Sequence, residues 1–257
     1  MGPHRQAVRT RLIFTLLLAL AGSAPAVAAS RGMTTLWMVG EPLVPAGERQ
    51  VSRLDYVFKH RLLPTGLAEL SEGSAAASAA GLAPDAQLIE VQTPGATVFC
   101  DPVIRSKKLV GHAQPCFVDG DGDGRFEGSF FTTSVTKGIL TIQGKRPGTP
   151  KAIAPLAYRR LDPSAFREQM FLGLQYRGNA NIVGNHVFDV KYGTEEHSGS
   201  LTTRVLHKKR NIPGSTEVLG GRFTILAASE NGITVRIDQP LPPEPFGVLQ
   251  TTTYRVY

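Results

Sequence analysis

Apolar and polar residues alternate with a period of two along much of the chain, whereas the period of an α-helix is nearly absent. Such alternation places apolar side chains on one face of a strand and polar ones on the other, as in an antiparallel sheet with one buried face. The clearest series are residues 170–176 and 186–192. The pattern predicts further strands at residues 36–40, 54–60, 87–92, 97–101, 129–134, 139–143, 201–206 and 248–256.

Two turns are predicted between these strands. Asn231-Gly232 is a two-residue hairpin sequence, because both residues tolerate a positive φ. With this turn, Leu226 is expected to pair with Ile237 and to share its buried face. A second turn is expected at residues 178–181, at the junction of the two clearest alternating series.

Ten or more short strands, with many Gly and Pro residues between them, predict an all-β fold, either an antiparallel sandwich or a barrel-like sheet. Residues 30–257 are expected to form one mainly β domain, with an internal boundary near 147–168, a region rich in Lys, Gly and Pro. The Ala-, Ser- and Gly-rich segment 71–84 predicts a flexible loop, with a short helix as the alternative. Asp162-Pro163 has the residues that cap and begin a helical turn.

The first 29 residues have the features of a secretory signal peptide. Three arginines precede an apolar stretch at residues 12–20, and small residues follow, with cleavage expected near Ala28–Ser30. The alternative is a membrane anchor, but this stretch is shorter than the roughly 20 residues that a spanning helix needs. No later stretch is apolar enough to span a membrane. We therefore expect the mature chain in the periplasm of a bacterium or secreted.

The charge of the mature chain is mildly basic. The predicted signal peptide carries three arginines and no acid, so its removal lowers the formal net charge from +7 to +4. This balance is not typical of a nucleic-acid-binding protein. The densest basic run contains Arg204, Lys208, Lys209 and Arg210. It is either a solvated strand end or a contact surface for an anionic envelope polymer or for lipid headgroups.

The chain contains two cysteines, Cys100 and Cys116. An even number of cysteines in an exported protein predicts a disulfide, and only one pairing within the chain exists. This bond closes a loop of 15 residues, which is worth about 3 kcal/mol in the chain-entropy account. Two buried thiols are the alternative.

The segment 119–127 reads Asp-Gly-Asp-Gly-Asp-Gly-Arg-Phe-Glu. Three carboxylates at alternate positions followed by a glycine provide the oxygen ligands and the sharp turn that a hard cation needs. These nine residues resemble the first half of an EF-hand calcium loop. The resemblance implies Asp119, Asp121 and Asp123 as ligands, with the backbone carbonyl of Arg125 and the carboxylate of Glu127.

The resemblance to the EF-hand ends at the loop. Position 12 of the loop is Phe130 instead of a bidentate Glu, and the flanking residues are typical of strands. We therefore expect an isolated calcium loop between β elements, with a structural Ca²⁺ and with Glu127 or a distant acid such as Asp101 as the further ligand. A polar hairpin tip is the alternative, since Asp-Gly repeats also form turns.

Three familiar catalytic motifs are missing from the sequence. The sequence lacks a His-Glu-x-x-His zinc pattern, a Gly-x-Ser-x-Gly elbow and a phosphate-binding glycine loop. Glu195, Glu196 and His197 are adjacent, but a solvated loop is the favoured interpretation, and His186 is expected to be a packed histidine. The sequence thus favours an exported protein of binding or envelope-structural type over an enzyme. The alternative is an exported hydrolase of polysaccharide or peptidoglycan, whose carboxylates would meet only in three dimensions.

Overall fold

The structure is a computed structural model that describes residues 31–103, 112–134, 139–180 and 184–248. The predicted signal peptide lies outside these residues, and so does the predicted strand 248–256 except for Val248, which is in no strand. The described residues form eighteen strands, one short α-helix and two 3₁₀ turns, which confirms the all-β class. Within them, no helix has both the length and the apolar character to span a bilayer.

The strands are β1 (Gly32–Thr34), β2 (Trp37–Pro42), β3 (Glu48–Val51), β4 (Tyr56–Pro64), β5 (Leu67–Leu70), β6 (Gln87–Glu90), β7 (Thr97–Cys100), β8 (His112–Asp119), β9 (Arg125–Ser134), β10 (Gln143–Lys145), β11 (Lys151–Leu161), β12 (Phe171–Ala180), β13 (Asn185–Gly193), β14 (Ser198–Lys208), β15 (Gly214–Val218), β16 (Gly221–Ser229), β17 (Gly232–Gln239) and β18 (Pro245–Phe246). The helix is α1 (Ala75–Ala79), and the 3₁₀ turns are Pro163–Ala165 and Lys209–Asn211.

Six strands close into a barrel in the order β11-β5-β6-β7-β8-β9. Every one of these strands contributes to a compact apolar cluster, which also includes residues of the α1 region: Ala68, Leu70, Ala77, Leu82, Ala86, Leu88, Phe99, Phe117, Phe126 and Leu156. We assign this cluster to the barrel interior. The alternate residues of β7 and β8 belong to the larger core outside the barrel, so both faces of these two strands are buried.

The larger core lies between two further antiparallel sheets, with the orders β14-β13-β12-β4-β2-β18 and β15-β16-β17-β3. Aromatic rings join the two sheets, because the Phe223 ring lies 6.2 Å from that of Phe58 and 5.4 Å from that of Phe188 between ring centroids. Trp37 is fully buried in the same core. The chain therefore combines both predicted architectures, a sandwich and a closed barrel.

Most of the predicted strands are confirmed. The segments at 36–40, 54–60, 87–92, 97–101, 129–134, 170–176, 186–192 and 201–206 correspond to β2, β4, β6, β7, β9, β12, β13 and β14. The segment 71–84 contains α1, the predicted alternative, which Ser74 caps by accepting a hydrogen bond of 3.0 Å from the Ala77 backbone N–H. Asp162 caps the 3₁₀ turn after it, as predicted. The internal boundary near 147–168 stays a prediction.

The β16–β17 hairpin forms, but the predicted register is wrong. Ile237 pairs with Phe223, three residues before the expected Leu226. The ladder has an irregularity beside Leu226, a bulge that alternation in the sequence cannot reveal. Gly232 begins β17 instead of lying in the turn, and a Cβ at this position would collide with the backbone carbonyl of Val51 in the neighbouring strand.

The strand predicted at residues 139–143 is also wrong, since only its last residue lies in a strand, β10. The other residues are buried and are held by side chains instead of by a strand ladder. The Trp37 Nε1 donates to the Leu140 carbonyl at 3.1 Å, and the Ile142 N–H donates to the Thr35 hydroxyl at 3.0 Å. An apolar run of this length is buried in either arrangement, so its hydrophobicity does not distinguish them.

The turn predicted at residues 178–181 is not where the chain reverses. Residues 178–180 continue β12 opposite β13, and Asn181 lies outside the described residues. Gly178 has a φ of +95° at a register shift in this ladder. The glycine therefore marks a bulge inside the strand, a second role that glycine has in β-structure.

His186 is a packed histidine, as predicted. It lies opposite His207 across β13 and β14, is only 1% exposed, and its Nδ1 shares a hydrogen bond of 2.9 Å with the Tyr176 hydroxyl. Its Nε2 is buried and has no hydrogen-bond partner among the described residues. Burial, with smaller effects from the charges of Lys209 and His207, lowers the pKa of His186.

We expect the free energy of unfolding to fall as the pH is lowered from 7 to 5. The pKa of His186 is depressed in the folded chain, so below about pH 6.5 the unfolded chain binds a proton that the folded chain resists. One such proton contributes at most about 1.4 kcal/mol per pH unit. Urea unfolding across this range should show the slope, which His186→Gln should reduce and which a change at the exposed His197 should leave intact. An equal slope in the His186 variant would contradict the assignment.

Candidate metal site at the β8–β9 hairpin

The acidic segment connects β8 to β9 within the barrel, in a tight loop that begins after Asp119 and ends before Arg125. Gly122 and Gly124 have φ values of +80° and +86°, in the left-handed region that favours glycine. The alternating glycines of the sequence therefore allow the chain to reverse within five residues. The carboxylates of the same segment accept hydrogen bonds from the backbone of the loop.

Asp119 is the buried member of the acidic group, with 1% of its surface exposed. Its Oδ1 accepts from the Gly122 N–H at 2.6 Å, and its Oδ2 accepts from the Gly124 N–H at 3.2 Å. The Tyr158 hydroxyl also donates to Oδ2, at 2.8 Å. Three donors therefore hold this carboxylate in one orientation at the base of the loop.

The other acids lie around the same loop. Asp121 and Asp123 are exposed, and each accepts a hydrogen bond from the backbone N–H two residues further along the chain. Glu127 Oε2 accepts from the Gly120 N–H at 3.1 Å. Glu127 Oε1 is buried and has no hydrogen-bond partner among the described residues. Buried carboxylate oxygens are normally paired, so this atom is available to a further partner.

The carboxylates form one cluster that could hold a metal ion. Asp119, Asp121, Asp123 and Glu127 each place one carboxylate oxygen so that these atoms lie within 4.8 Å of one another. Two ligands on opposite sides of a cation are separated by twice the metal–oxygen distance, which is about 5 Å for Ca²⁺ and about 4 Å for Mg²⁺. The distances of up to 4.8 Å between these oxygens are compatible with Ca²⁺, the larger of the two ions. The predicted Arg125 carbonyl ligand stays a prediction.

Asp101 was expected as an alternative ligand, and the described structure places it elsewhere. The register of β7 and β8 pairs Thr97 with Asp119, so Asp101 lies four residues further along, about 13 Å away for an extended chain. It is absent from the cluster of possible ligands among the described residues. Its Oδ1 accepts a hydrogen bond from the Val103 N–H, so Asp101 organises the chain after β7 instead.

Tyr158 is part of the site and was missed by sequence reasoning. It lies in β11, stacked on Phe126 with ring centroids 4.2 Å apart, and its ring also contacts Phe99 in the barrel interior. Burial, followed by the hydrogen bond to Asp119, raises the pKa of Tyr158 to about 12. The hydroxyl therefore stays protonated at neutral pH and donates to Asp119. No short motif links these two residues, which are 39 positions apart.

A cavity of about 400 Å³ opens beside the loop, lined by Thr97, Asp119, Gly122, Asp123, Gly124, Tyr158 and Arg160. Arg160 lies over the Phe99 ring at 5.2 Å and pairs with Glu90 at 3.4 Å. The cavity places solvent next to two of the four clustered carboxylates, so an ion can reach the cluster from this side.

The predicted disulfide is present. Cys100 in β7 and Cys116 in β8 are directly opposite one another, with Cα atoms 4.1 Å apart, and both are fully buried. They face the larger core, whereas their neighbours Phe99 and Phe117 belong to the cluster in the barrel interior. The bond therefore joins two adjacent barrel strands three residues before Asp119.

The remaining candidate residues lie in the six-stranded sheet or in its connections, outside the barrel that carries the acidic loop. Glu195, Glu196 and His197 are exposed in the connection between β13 and β14, where Glu195 pairs with Lys59. This confirms the expected solvated loop. Arg204 and Lys208 are exposed on β14, and Lys209 and Arg210 are exposed in the 3₁₀ turn that follows.

These observations define a fold and a site without naming a family. Comparison of the chain with protein-family models, with curated proteins and with solved structures finds no match.

Proposed function

We propose that the chain is an exported all-β protein of binding or envelope-structural type, stabilised by one disulfide and by a structural Ca²⁺ in the β8–β9 loop. The observation that carries the proposal is the cluster of four carboxylates beside a buried disulfide. Both features stabilise small folds outside the cytoplasm, where disulfides persist and calcium is abundant.

Calcium is the cation that suits this set of donors. Carboxylate and carbonyl oxygens are hard ligands, and Ca²⁺ accepts six to eight of them at flexible angles. Among the described residues, the cluster contains no histidine or cysteine, the usual ligands of zinc. Four like charges at this spacing repel one another, and a divalent cation would offset the repulsion. The unpartnered Glu127 Oε1 would gain a partner at the same time.

The support for export is independent of the loop. Residues 1–29 have the charge, the apolar core and the small residues of a signal peptide. A buried disulfide is typical of oxidising compartments such as the periplasm or the exterior of the cell. These two features agree, although one is read from the sequence and the other from the fold.

The hydrolase alternative needs two acids, or an acid and a histidine, that converge in a cleft. Asp119 and Asp123 do line the cavity, but both belong to the proposed cation site. Asp119 already accepts three hydrogen bonds, from the backbone of the loop and from Tyr158, so its carboxylate serves to hold the loop. We therefore favour the non-enzymatic role and retain the hydrolase as the alternative.

Calcium is expected to raise the melting temperature of the mature, oxidised protein. Loops with few protein ligands bind with a Kd of roughly 10⁻⁴ to 10⁻³ M. At a concentration of about 100 Kd the ion adds about 2.7 kcal/mol, which corresponds to a rise of roughly 5–10 °C for a chain of this size. The measurement is a thermal melt in EDTA and then in a calcium series, with magnesium in parallel.

Asp121→Ala removes one exposed ligand and should abolish the response to calcium. Glu230→Ala is the matched control, because it removes one exposed acid at the β16–β17 turn, outside the loop, and should keep the full response. If calcium leaves the melting temperature of the wild type unchanged up to about 10 mM, the loop is a polar turn and the metal proposal is wrong.

A further inference from the structure

The exposed cations noted around Arg204 belong to one face of β12, β13 and β14, the three strands at one side of the six-stranded sheet. In the β13–β14 ladder Asp189 is opposite Arg204, Val187 is opposite Leu206 and Asn185 is opposite Lys208, so these side chains share one face. Phe188 and His207, which alternate with them along the strands, are buried. The cations near Arg204 therefore belong to a surface that crosses neighbouring strands, and not only to a linear run in the sequence.

Residues from the neighbouring strands add to this charge. Arg177 of β12 pairs with Asp189 at 3.3 Å, and Arg204 pairs with the other oxygen of Asp189 at 3.4 Å. Lys191 follows Asp189 on the same face of β13, opposite Ser200. We call the set of Arg177, Lys191, Arg204, Lys208, Lys209 and Arg210 the basic face.

The basic face carries more cations than acids. In the sequence of β12, β13, β14 and the 3₁₀ turn after them, Asp189 is the single acidic residue. The connection between β13 and β14 adds Glu195 and Glu196, and Glu195 pairs with Lys59 of β4, which lies on the same face as Lys191. With Lys59, seven cations against three carboxylates leave a formal net charge of +4. This equals the charge of the whole mature chain, so the rest of the protein is close to neutral.

We propose that the basic face binds an extended anionic polysaccharide, and this inference rests on the proposed role as an exported binding protein. The cations are spread along the strands, because Lys191 and the residue opposite Lys208 are six positions apart in β13, or roughly 20 Å. A flat surface with spaced positive charges fits a polymer with repeated negative charges better than it fits one small anion.

The side chains of the basic face are unsuited to the two other polyanionic partners, a nucleic acid and an anionic membrane. The aromatic residues of β12 and β13, namely Phe171, Tyr176, Phe188 and Tyr192, are buried and leave no platform on which nucleic-acid bases could stack. In the described parts of β12, β13 and β14, Leu206 is the one large apolar side chain with high exposure. A membrane-binding surface normally inserts several apolar side chains beside its cations.

The test compares two double variants that each remove two exposed lysines. Lys208→Gln/Lys209→Gln removes charge from the basic face, and Lys145→Gln/Lys151→Gln removes the same charge from β10 and β11. We expect the wild type to bind polygalacturonate but not uncharged dextran in calcium-free, low-salt buffer. Affinity should fall on the order of ten-fold in the first variant, stay within about two-fold in the control, and decrease with added salt.

Three outcomes would overturn the inference. The first is an equal loss of binding in both double variants, which would reflect net charge alone. The second is tighter binding to phosphatidylglycerol vesicles or to oligo-deoxythymidine than to polygalacturonate. The third is that the first variant self-associates while its binding to the polymer is unchanged. Lys208 on the edge strand β14 would then serve to prevent pairing between the edges of two molecules.

The polymer assay contains no calcium, so a negative result does not affect the calcium melt. The two proposals can therefore fail separately.

Discussion

Asp119→Ala is expected to lower the free energy of unfolding by about 3–5 kcal/mol even in EDTA. The change leaves three donors without their acceptor, namely the N–H groups of Gly122 and Gly124 and the hydroxyl of Tyr158. A hydrogen bond to a charged group contributes about 1.5–3 kcal/mol, and the glycine N–H groups recover part of this from water. Urea unfolding of the oxidised protein measures the loss.

Asp121→Ala is the matched comparison, because Asp121 is exposed and accepts a single long hydrogen bond from the Asp123 N–H. In EDTA we expect it to change the free energy of unfolding by less than about 1 kcal/mol. Both variants should lose the response to calcium. Equal, small effects of the two substitutions in EDTA would contradict the role given to Asp119 as the anchor of the loop.

Asp119→Asn separates the charge from the shape of this side chain. The amide keeps one carbonyl oxygen that can accept from the Tyr158 hydroxyl or from a glycine N–H, so its stability in EDTA should lie between those of the wild type and Asp119→Ala. If Asp119→Asn retained the full response to calcium, Asp119 would hold the loop without being a ligand. This variant therefore distinguishes a structural carboxylate from a metal-binding one.

Local patterns were sufficient to predict the parts of the site that are close in sequence. The carboxylates at 119, 121, 123 and 127 form one cluster because glycines between them allow a tight loop, and both properties are readable in nine residues. The pairing of Cys100 with Cys116 required no geometry, since only one pairing existed. The all-β class followed from alternation repeated in many short segments.

Long-range features were not predictable in the same way. Tyr158 reaches Asp119 because β11 closes the barrel against β9, and this closure depends on strand pairing between distant segments. The position of Asp101 was predicted wrongly because the disulfide fixes the pairing of two strands but not which end of β7 faces the loop. The β16–β17 register failed mainly because the turn lies at Glu230-Asn231, one residue earlier than expected, which displaces every pair by two positions. The bulge beside Leu226 adds the third position.

The basic face illustrates the same limit at the level of a surface. Arg204, Lys208, Lys209 and Arg210 were visible as a run in the sequence, whereas Arg177 and Lys191 joined them only through the pairing of β12, β13 and β14. Asp189 forms ion pairs with Arg177 and Arg204 and offsets part of their positive charge, which the sequence could not show. The extent and the net charge of the basic face could therefore be derived only from the register of three strands.

Removing the disulfide is expected to lower the free energy of unfolding by about 3 kcal/mol, because a crosslink across 15 residues restricts the unfolded chain by this amount. The variant is Cys100→Ala/Cys116→Ala, since both side chains are fully buried and alanine introduces no polar atom into the core. Urea unfolding of this variant and of the wild type, each with and without a reducing agent, measures the effect. Reduction should destabilise the wild type only.

Combining the cysteine variant with Asp121→Ala shows whether the bond and the cation act on the same part of the fold. Asp119 lies three residues beyond Cys116, about 10 Å along β8, so independent effects in calcium should add to within about 0.5 kcal/mol. A larger deviation would mean that the disulfide positions the loop for its cation. If reduction left the wild type as stable as before, the bond would not brace the barrel, and burial of both faces of β7 and β8 would have to hold these strands alone.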